Sequence, residues 1–279
     1  MTYSTVTGHY ARHGDMAERI LEVFRSSDGY KDPVTYKALH QLDQFHLGGP
    51  VATRMLADMA GLRNVPVLDL GCGVGGPARC LAAEFGCEVT GVDLTDSFIR
   101  SARRLSDLTD LTASTHFVCA NVLDLPFADA SWLWAVSQHA IMNIPDSARM
   151  YREVARVLAP GGYFAQHDIV AGAKPNPHFP VPWASSPAGS FLQDAETLCG
   201  QLEAAGLERV QWENLTAEAL DAMRSARAAR DAGEPEPPGP HLVMGPEFLT
   251  MRANLGRNLA EDRARVLRAL WRKPAANRT

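Results

Sequence analysis

The glycine-rich run from Val67 to Arg79, VLDLGCGVGGPAR, constrains the fold more than any other part of the sequence. Apolar residues precede the glycines, and an amphipathic segment from Ala78 to Phe85 follows them. This order predicts a buried strand, a tight turn and a helix. Because glycine lacks a Cβ atom and the first N–H groups of a helix have no intrahelical partner, a ligand can approach the backbone closely there. The run therefore predicts a ligand site at the end of the strand.

The residues around this run narrow the class of ligand. The glycines that fit the pattern G-x-G-x-x-G are Gly71, Gly73 and Gly76. A nicotinamide dinucleotide is therefore one candidate. A second predicted strand, Cys87–Leu94, ends near Asp93, whose carboxylate can accept hydrogen bonds from both ribose hydroxyls in either cofactor class. Asp69 precedes the first glycine closely, and an anion there suits a cationic ligand better than a pyrophosphate. A third strand end, Cys119–Phe127, carries polar residues that can meet an adenine edge.

Together these runs resemble the motifs of class I S-adenosylmethionine-dependent methyltransferases. The runs DLGCGVGGPAR, VTGVDL, NVLDLPF and EVARVLAPGGYF occur in the order and spacing of that family, within residues 60–170. The GGPAR variant is similar to a small-molecule branch that holds sarcosine/dimethylglycine, tocopherol and natural-product methyltransferases. The resemblance implies S-adenosyl-L-methionine as cofactor and S-adenosyl-L-homocysteine as product. It also implies an α/β fold, with a doubly wound, Rossmann-like seven-stranded sheet and a helical cap.

The same resemblance assigns candidate cofactor contacts. Glycines line the methionine part, Asp93 binds the ribose, and Asn121 and Val122 flank the adenine. In similar proteins the segment Leu42–Pro50 crosses over the cofactor, although a structural loop with a capping histidine fits this segment equally well. The full set is Gln44, His46, Asp69, Gly71, Gly73, Gly75, Asp93, Leu94, Asn121, Val122 and Ser137.

From Val67 onward, predicted strands alternate with predicted helices, which is typical of a parallel, doubly wound sheet. Ligands bind such sheets at the carboxyl ends of the strands, where the strand order reverses. The segment Ala264–Arg272 resembles the last, antiparallel strand of the methyltransferase sheet. We therefore expect the following parts: N-terminal lid helices over residues 1–50, a cofactor-binding core over 51–215, a helical cap insertion over 216–262, and the last strand with a tail over 263–279.

Composition excludes several classes of function. The 279 residues carry a net charge of -5 and lack the basic excess that a phosphate-tracking nucleic-acid surface needs. No apolar run is long enough to span a bilayer, and no secretory signal begins the sequence, so we expect a cytoplasmic protein without a membrane partner. The five cysteines lack C-x-x-C spacing, and no His, Cys or carboxylate cluster shows metal-ligand spacing. The sequence fits a monomer or a homodimer equally well.

The candidate catalytic residues follow the fourth and fifth predicted strands. Related proteins often carry a histidine just before the Pro-Asp pair after the fourth strand, but Asn143 stands there in this chain. His139, directly after that strand, is therefore the candidate base, or a histidine that only orders the loop. Related natural-product methyltransferases place an acid at the position of Asp168, near the acceptor. Aromatic and histidine residues of the cap regions are candidate substrate contacts: Tyr10, Tyr30, His178 and Trp183.

The function that these features favour is transfer of a methyl group from S-adenosylmethionine to N or O of a small-molecule metabolite, with C as a further option. A second hypothesis is a natural-product enzyme that binds the same cofactor without methylating, such as a cyclase or a decarboxylase, because one fold serves many reactions. A nicotinamide dehydrogenase fits less well, given Asp69 and the segment around Asn121. A binding or regulatory protein is disfavoured because the cofactor motifs are intact.

Overall fold

The computed structural model describes residues 15–26 and 33–275. The first half of the described chain contains α1 (Met16–Ser26), α2 (Tyr36–Leu39), α3 (Gly49–Ala60), β1 (Pro66–Leu70), α4 (Gly76–Phe85), β2 (Glu88–Asp93), α5 (Asp96–Leu108), β3 (Thr115–Cys119) and β4 (Trp132–Gln138). The second half contains α6 (Ser147–Val157), β5 (Leu158–Ala171), α7 (Ala195–Ala204), β6 (Glu208–Asn214), α8 (Thr216–Asp231), α9 (Pro240–Met244), α10 (Glu247–Ala260) and β7 (Ala264–Arg272). Short 3₁₀ turns lie at Ile141–Asn143 and Pro187–Gly189.

The described residues form a seven-stranded sheet with the order β3-β2-β1-β4-β5-β7-β6. Strands β1 to β5 are mutually parallel, and β7 runs antiparallel between β5 and β6. The chain moves outward from β1 through β2 to β3 and then returns to the other side of β1 as β4. The strand order therefore reverses between β1 and β4, where a doubly wound sheet opens a crevice at its carboxyl edge. The predicted Rossmann-like α/β fold is confirmed.

Alternation along the strands gives the sheet two apolar faces. One face carries Leu68, Leu70 and Phe164 and packs against α6 and α7. The other carries Val67 and Val89 and packs against α3 and α4. Because both faces are covered by helices, the central strands are almost continuously apolar, as the run at β1 indicates.

The fifth strand is longer than the sequence pattern predicts. The sequence pattern predicts a strand over 161–169, whereas β5 begins at Leu158, directly after α6. Its pairing with β4 shifts register between Trp132 and Trp134, so the chain around Pro160 bulges out of the ladder. Gly161 takes the positive φ of +84° that such a bulge requires. Proline and glycine therefore mark an irregularity inside the strand rather than its beginning.

Helices α8, α9 and α10 lie between β6 and β7, two strands that pair directly with each other. The backbone N–H of Leu215, before α8, donates to the carbonyl oxygen of Val266 in β7 at 2.9 Å. Both ends of the helical segment therefore leave the sheet at the same place. Helices α9 and α10 also pack against α1 through Val243 and Phe248. Within the described ranges, no helix combines the length and the apolar character needed to cross a bilayer.

Candidate functional site

A cleft opens at the carboxyl edge of the sheet, where the strand order reverses. Its volume is about 1260 Å³, counted out to the mouth that opens to solvent. Its lining residues fall into two groups. One group comes from the turn after β1, the end of β2 and the loop after β3, and we call it the turn end. The other group comes from the loop after β4, the segment around His46, and residues of α9 and α10, and we call it the loop end.

The turn end is shaped by backbone that only glycine adopts easily. Gly71 and Gly73 have φ values of +78° and +54°, in the left-handed region. A Cβ atom on Gly71 would lie 2.6 Å from Cβ of Ala140, whereas one on Gly73 would meet nothing within 4 Å. Since Gly73 lines the cleft, its open side faces ligand space. Gly75, by contrast, packs against Phe117 and does not line the cleft.

Asp93 holds the turn and also lines the cleft. Its Oδ2 accepts a hydrogen bond from the N–H of Gly73 at 3.0 Å, and its Oδ1 accepts one from the N–H of Thr95 at 2.8 Å. Burial raises the pKa of Asp93. Burial and the neighbouring Asp93 raise the pKa of Asp69 to about 7. Oδ2 of Asp69 is buried without a hydrogen-bond partner. The turn end therefore holds a carboxylate oxygen whose negative charge no described protein group balances.

A buried ion pair joins the two ends of the cleft. Arg79, from α4, donates to a carboxylate oxygen of Asp43 at 2.8 Å, and both side chains are almost fully buried. The guanidinium also donates to the carbonyl oxygen of Val74 in the glycine turn and to that of Ala102 in α5. Asp43 lines the cleft close to His46 in sequence. The pair therefore fixes the chain before α3 against the turn after β1.

A cluster of three imidazoles lies at the loop end. The ring centroid of His139 is 5.0 Å from that of His167 and 6.0 Å from that of His46, and the last two are also 6.0 Å apart. Burial lowers the pKa of His46 to about 4 and that of His167 to about 3, and burial together with the other two rings lowers the pKa of His139 well below its ordinary value. The cluster is therefore uncharged near neutral pH.

His139 is the member of this cluster that sequence reasoning singled out as the candidate base. It lines the cleft, directly after β4, and its φ of +52° is unusual for a residue other than glycine. Its N–H donates to the carbonyl oxygen of His167 at 2.8 Å, and its Nε2 is buried without a partner. A strained backbone held by such a contact is typical of functional sites.

Asp168 lies elsewhere than the sequence analysis placed it. Its side chain is fully buried, and one carboxylate oxygen accepts a hydrogen bond from the N–H of Ile141 at 3.2 Å. It does not line the cleft, so a shared approach of His139 and Asp168 to one acceptor is not what the structure contains. Alternation along β5 turns His167 toward His139, so the next residue projects from the opposite face of the sheet. From that face, Asp168 anchors the turn that follows His139.

The other candidate residues divide between the cleft and its surroundings. Those that line the cleft are His46, Gly71, Gly73, Asp93, Leu94, Asn121, Val122, His139 and Trp183. Those described but not lining it are Gln44, Asp69, Gly75, Ser137, Asp168 and His178. Tyr10 and Tyr30 lie outside the described residues. Gln44 instead accepts a hydrogen bond from Thr53 at 2.7 Å, and His178 contacts Glu261 at 2.9 Å.

Sequence reasoning missed several lining residues at the loop end. They include Phe45, Gln138, Met142, Asn143, Met244 and Phe248. The apolar pattern predicts that the fourth strand ends at 136, whereas β4 runs to Gln138, so a polar residue just after the apolar run was a usable signal for it. Met244 and Phe248 offered none, because their apolar character fits an ordinary packing face equally well. In the described part of the chain, no group of three or more His, Cys, Asp or Glu side chains is arranged to hold a metal ion.

Comparison with known proteins gives a consistent picture. A family model described as "Methyltransferase domain" matches residues 68–166. The sterol 24-C-methyltransferase of Eremothecium gossypii is 32% identical over 181 residues, which are 58% of this chain and 48% of that protein. The chain spans less than half the length of the curated relatives that it matches most strongly.

Two solved structures share the fold. The [4+2]-cyclase SpnF has a TM-score of 0.67 and 21% identity, with 96% of each chain covered. Geranyl diphosphate C-methyltransferase from Streptomyces coelicolor A3(2), in complex with Mg²⁺, geranyl diphosphate and S-adenosyl-L-homocysteine, has a TM-score of 0.65 and 15% identity, with 91% of this chain and 88% of that chain covered. Residues 68–166 therefore match a methyltransferase domain, and the chain is similar in fold to a solved C-methyltransferase that binds S-adenosyl-L-homocysteine.

Proposed function

We propose that this protein transfers a methyl group from S-adenosyl-L-methionine to N, O or C of a small-molecule acceptor. The observation that carries the proposal is the turn end of the cleft. There the open side of Gly73, the carboxylate of Asp93 and the loop at Asn121 face one space. The loop end, with His139, lies in the same cleft, so two ligands can meet inside it.

The residues present fit this cofactor. Asp93 offers a carboxylate to the ribose hydroxyls, and the segment Asn121–Val122 lies where it can flank an adenine. The buried, partnerless oxygen of Asp69 nearby favours a ligand that carries positive charge over one that carries phosphates. A nicotinamide dinucleotide would bring a pyrophosphate close to Asp69 and Asp93, which is electrostatically unfavourable.

S-adenosylmethionine, when bound, supplies a methyl group that its sulfonium has already activated. The protein then has to align the acceptor atom with that methyl group and take up a proton where the acceptor loses one. We assign proton uptake to the imidazole of His139, which lines the loop end and whose Nε2 is buried without a partner among the described residues. Asp168 acts through the backbone of Ile141, as a positioning residue for the loop that carries His139. An acceptor that is already a neutral amine needs only the alignment.

We also propose that the segments before α3 and between β6 and β7 form the lid helices and the cap over this cleft. Phe45 and His46 from the first segment, and Met244 and Phe248 from the second, line it. Closure of such walls around bound ligands excludes water from the reacting groups. Hydrogen exchange of the full chain, with and without S-adenosylhomocysteine, should show ligand-induced protection at 43–46 and 240–250. Equal exchange in both states would contradict the cap assignment.

The cofactor assignment is tested by calorimetry of S-adenosylhomocysteine with Asp93→Ala. Loss of the carboxylate should weaken binding by roughly ten- to a hundredfold. Asp96→Ala is the matched control, since its exposed side chain pairs with Arg100 on the outside of α5. Unchanged binding by Asp93→Ala would overturn the ribose assignment.

The reaction is tested by incubating wild-type protein and cofactor with amines, amino acids, phenols and hydroxylated metabolites. Methyl transfer adds the mass of one CH₂ group to the acceptor, whereas a cyclase product keeps the mass of its substrate. A chain that binds the cofactor and changes a substrate without that gain would instead be an enzyme of the SpnF kind.

A further inference from the structure

The loop end of the cleft is built mostly from apolar side chains. They come from four separate stretches of the chain and are Phe45, Met142, Pro182, Trp183, Met244 and Phe248. The one polar atom of the Trp183 side chain, Nε1, donates to Oγ of Ser190 at 2.9 Å, so the indole needs no hydrogen bond from a ligand. Surfaces of this kind bind apolar ligand bodies, because burial removes apolar area from water on both sides.

Cationic side chains are missing from these walls. Among the lining residues in ranges 15–26 and 33–275, none is a lysine or an arginine. The guanidinium of Arg79, which approaches the cleft through its partner Asp43, is engaged by that carboxylate and by the carbonyl oxygen of Val74. A phosphate or carboxylate on the acceptor would therefore lose its hydration without gaining a charged partner, which is unfavourable.

Among the described residues, the loop end has one carboxylate, that of Asp43, and Arg79 balances its charge. The lining carboxylates in the described chain are Asp43, which is paired with Arg79, and Asp93, which belongs to the turn end. Asp168, the acid that could have faced a cationic acceptor, is buried away from the cleft and bonded to the N–H of Ile141. A permanently cationic acceptor would therefore be desolvated without compensation as well.

The polar groups that remain at the loop end are neutral ones. His46, Gln138, His139 and Asn143 line it, and none of these side chains carries a full charge near neutral pH. Such groups can orient one polar function of a ligand while the apolar walls enclose the rest.

We propose that the methyl acceptor is an uncharged, largely apolar molecule whose single polar end lies beside His46 and His139. This inference rests on the proposed function, because it takes the turn end as the cofactor site and leaves the loop end to the acceptor. It separates the expected acceptor from phosphorylated, carboxylated and quaternary ammonium molecules, all of which are small metabolites.

Matched ligands that differ only in the charge of one end test this proposal. Geraniol, geranyl diphosphate and geranylamine form one set, and farnesol with its diphosphate and amine forms a second. Affinities are measured by calorimetry on the full chain saturated with S-adenosylhomocysteine. We expect the alcohol of at least one set to bind about tenfold or more tightly than both charged members. Tighter binding of a diphosphate or an amine would overturn the proposal, as would the failure of both alcohols to bind.

A pair of variants on α10 tests the placement of the acceptor. Phe248→Arg puts a cation into the cleft wall, whereas Leu249→Arg puts the same side chain on the exposed side of the same helix. Phe248→Arg should reverse the preference, because it should weaken binding of the alcohol and strengthen binding of the diphosphate, each by about tenfold. Leu249→Arg should keep the wild-type preference. Equal behaviour of the two variants would contradict the proposal.

The calorimetry separates this proposal from the proposed function. Binding of S-adenosylhomocysteine is measured first, without acceptor, and its absence counts against the cofactor assignment. Normal cofactor binding together with a preference for charged ligands counts against the uncharged acceptor alone.

Discussion

The two ends of the cleft are built in different ways. The turn end is built around the backbone of one short stretch, 71–74, with the carboxylate of Asp93 and the loop after β3 beside it. The loop end consists of side chains brought from the segment before α3, the loop after β4, the chain around Trp183, and α9 with α10. A ligand shared by many proteins can be met by a fixed backbone shape, whereas a ligand peculiar to one protein needs side chains that can vary independently. The difference indicates which end sets the cofactor and which sets the acceptor.

The largest expected effect is a loss of turnover without a loss of cofactor binding, when a side chain of the loop end is changed. His139→Asn keeps a residue type that tolerates the positive φ and removes the imidazole. If His139 takes up the acceptor's proton, turnover should fall about 10²–10⁴-fold, with affinity for S-adenosylhomocysteine changed by no more than about twofold. Turnover is measured as methyl transfer to an acceptor found in the screen.

The control for this prediction is His178→Asn. His178 contacts Glu261 outside the cleft, so its loss should leave turnover nearly unchanged. Turnover equal to that of the wild type in His139→Asn would show that His139 is not the base. Catalysis would then depend on alignment of the acceptor with the methyl group.

The second effect concerns the ion pair that connects the two ends. Arg79→Met leaves Asp43 buried without its cation and should lower the free energy of unfolding by about 3–5 kcal/mol. Urea unfolding measures the change. Arg63→Met is the matched control, because the exposed pair of Arg63 with Asp58 is worth only about 0–1 kcal/mol. Similar losses of unfolding free energy in the two variants would show that the buried pair contributes no more to stability than the exposed one.

The third effect is a pH dependence that belongs to the loop end. Burial lowers the pKa of His167 to about 3, against an ordinary value of 6.5, so the unfolded chain binds the proton more readily. The contribution of this residue to the free energy of unfolding is therefore fully present above pH 6.5. It is lost as the pH falls toward 3, and the loss is roughly 2 kcal/mol at pH 5.

The variant His167→Gln should remove that loss. Asp69, with its raised pKa, changes the free energy of unfolding in the opposite direction, because its stabilising contribution is lost as the pH rises toward 7. The measured quantity is therefore the difference in unfolding free energy between wild type and variant from pH 7.5 to 5. A difference that stays constant with pH would contradict the uncharged, buried state of His167.

The smallest expected effect is a change in cofactor affinity when a side chain is added to the backbone of the turn end. Gly73→Ala and Gly206→Ala both place a side chain at positive φ without a clash within 4 Å, so each should cost about 1–2 kcal/mol of stability. Only Gly73 lines the cleft, so only its variant should also bind S-adenosylhomocysteine about tenfold more weakly. Binding losses of equal size in both variants would mean that general destabilisation, and not the open face of Gly73, is responsible.

The sequence predicted the turn end well because its signals are local. The glycines, Asp93 and Asn121 each follow a strand whose apolar run is visible in the sequence, and parallel topology brings strand ends to one edge. The loop end carries no such signal. Its walls are set by which face of α9 and α10 packs over the sheet, and only tertiary structure decides that.

Asp168 shows how a correct local pattern still misplaces a residue. Alternation along β5 separates Asp168 from His167 as the sequence predicts. The pattern does not state which of the two faces continues into the cleft, and the structure turns His167 toward His46 and His139. Oδ1 of Asp168 accepts a hydrogen bond from the N–H of Ile141, so the acid holds the loop that follows His139.

The hydrogen bond between Leu215 and Val266 has a consequence for how a protein like this can change its specificity. Because the helical segment leaves and rejoins the sheet at one point, it can be lengthened, shortened or exchanged for another without altering any strand pairing. Recombination at those two positions would replace part of the acceptor wall and keep the turn end intact. A change of specificity can then begin with a graft at a single junction of the fold, while the other walls of the cleft stay in place.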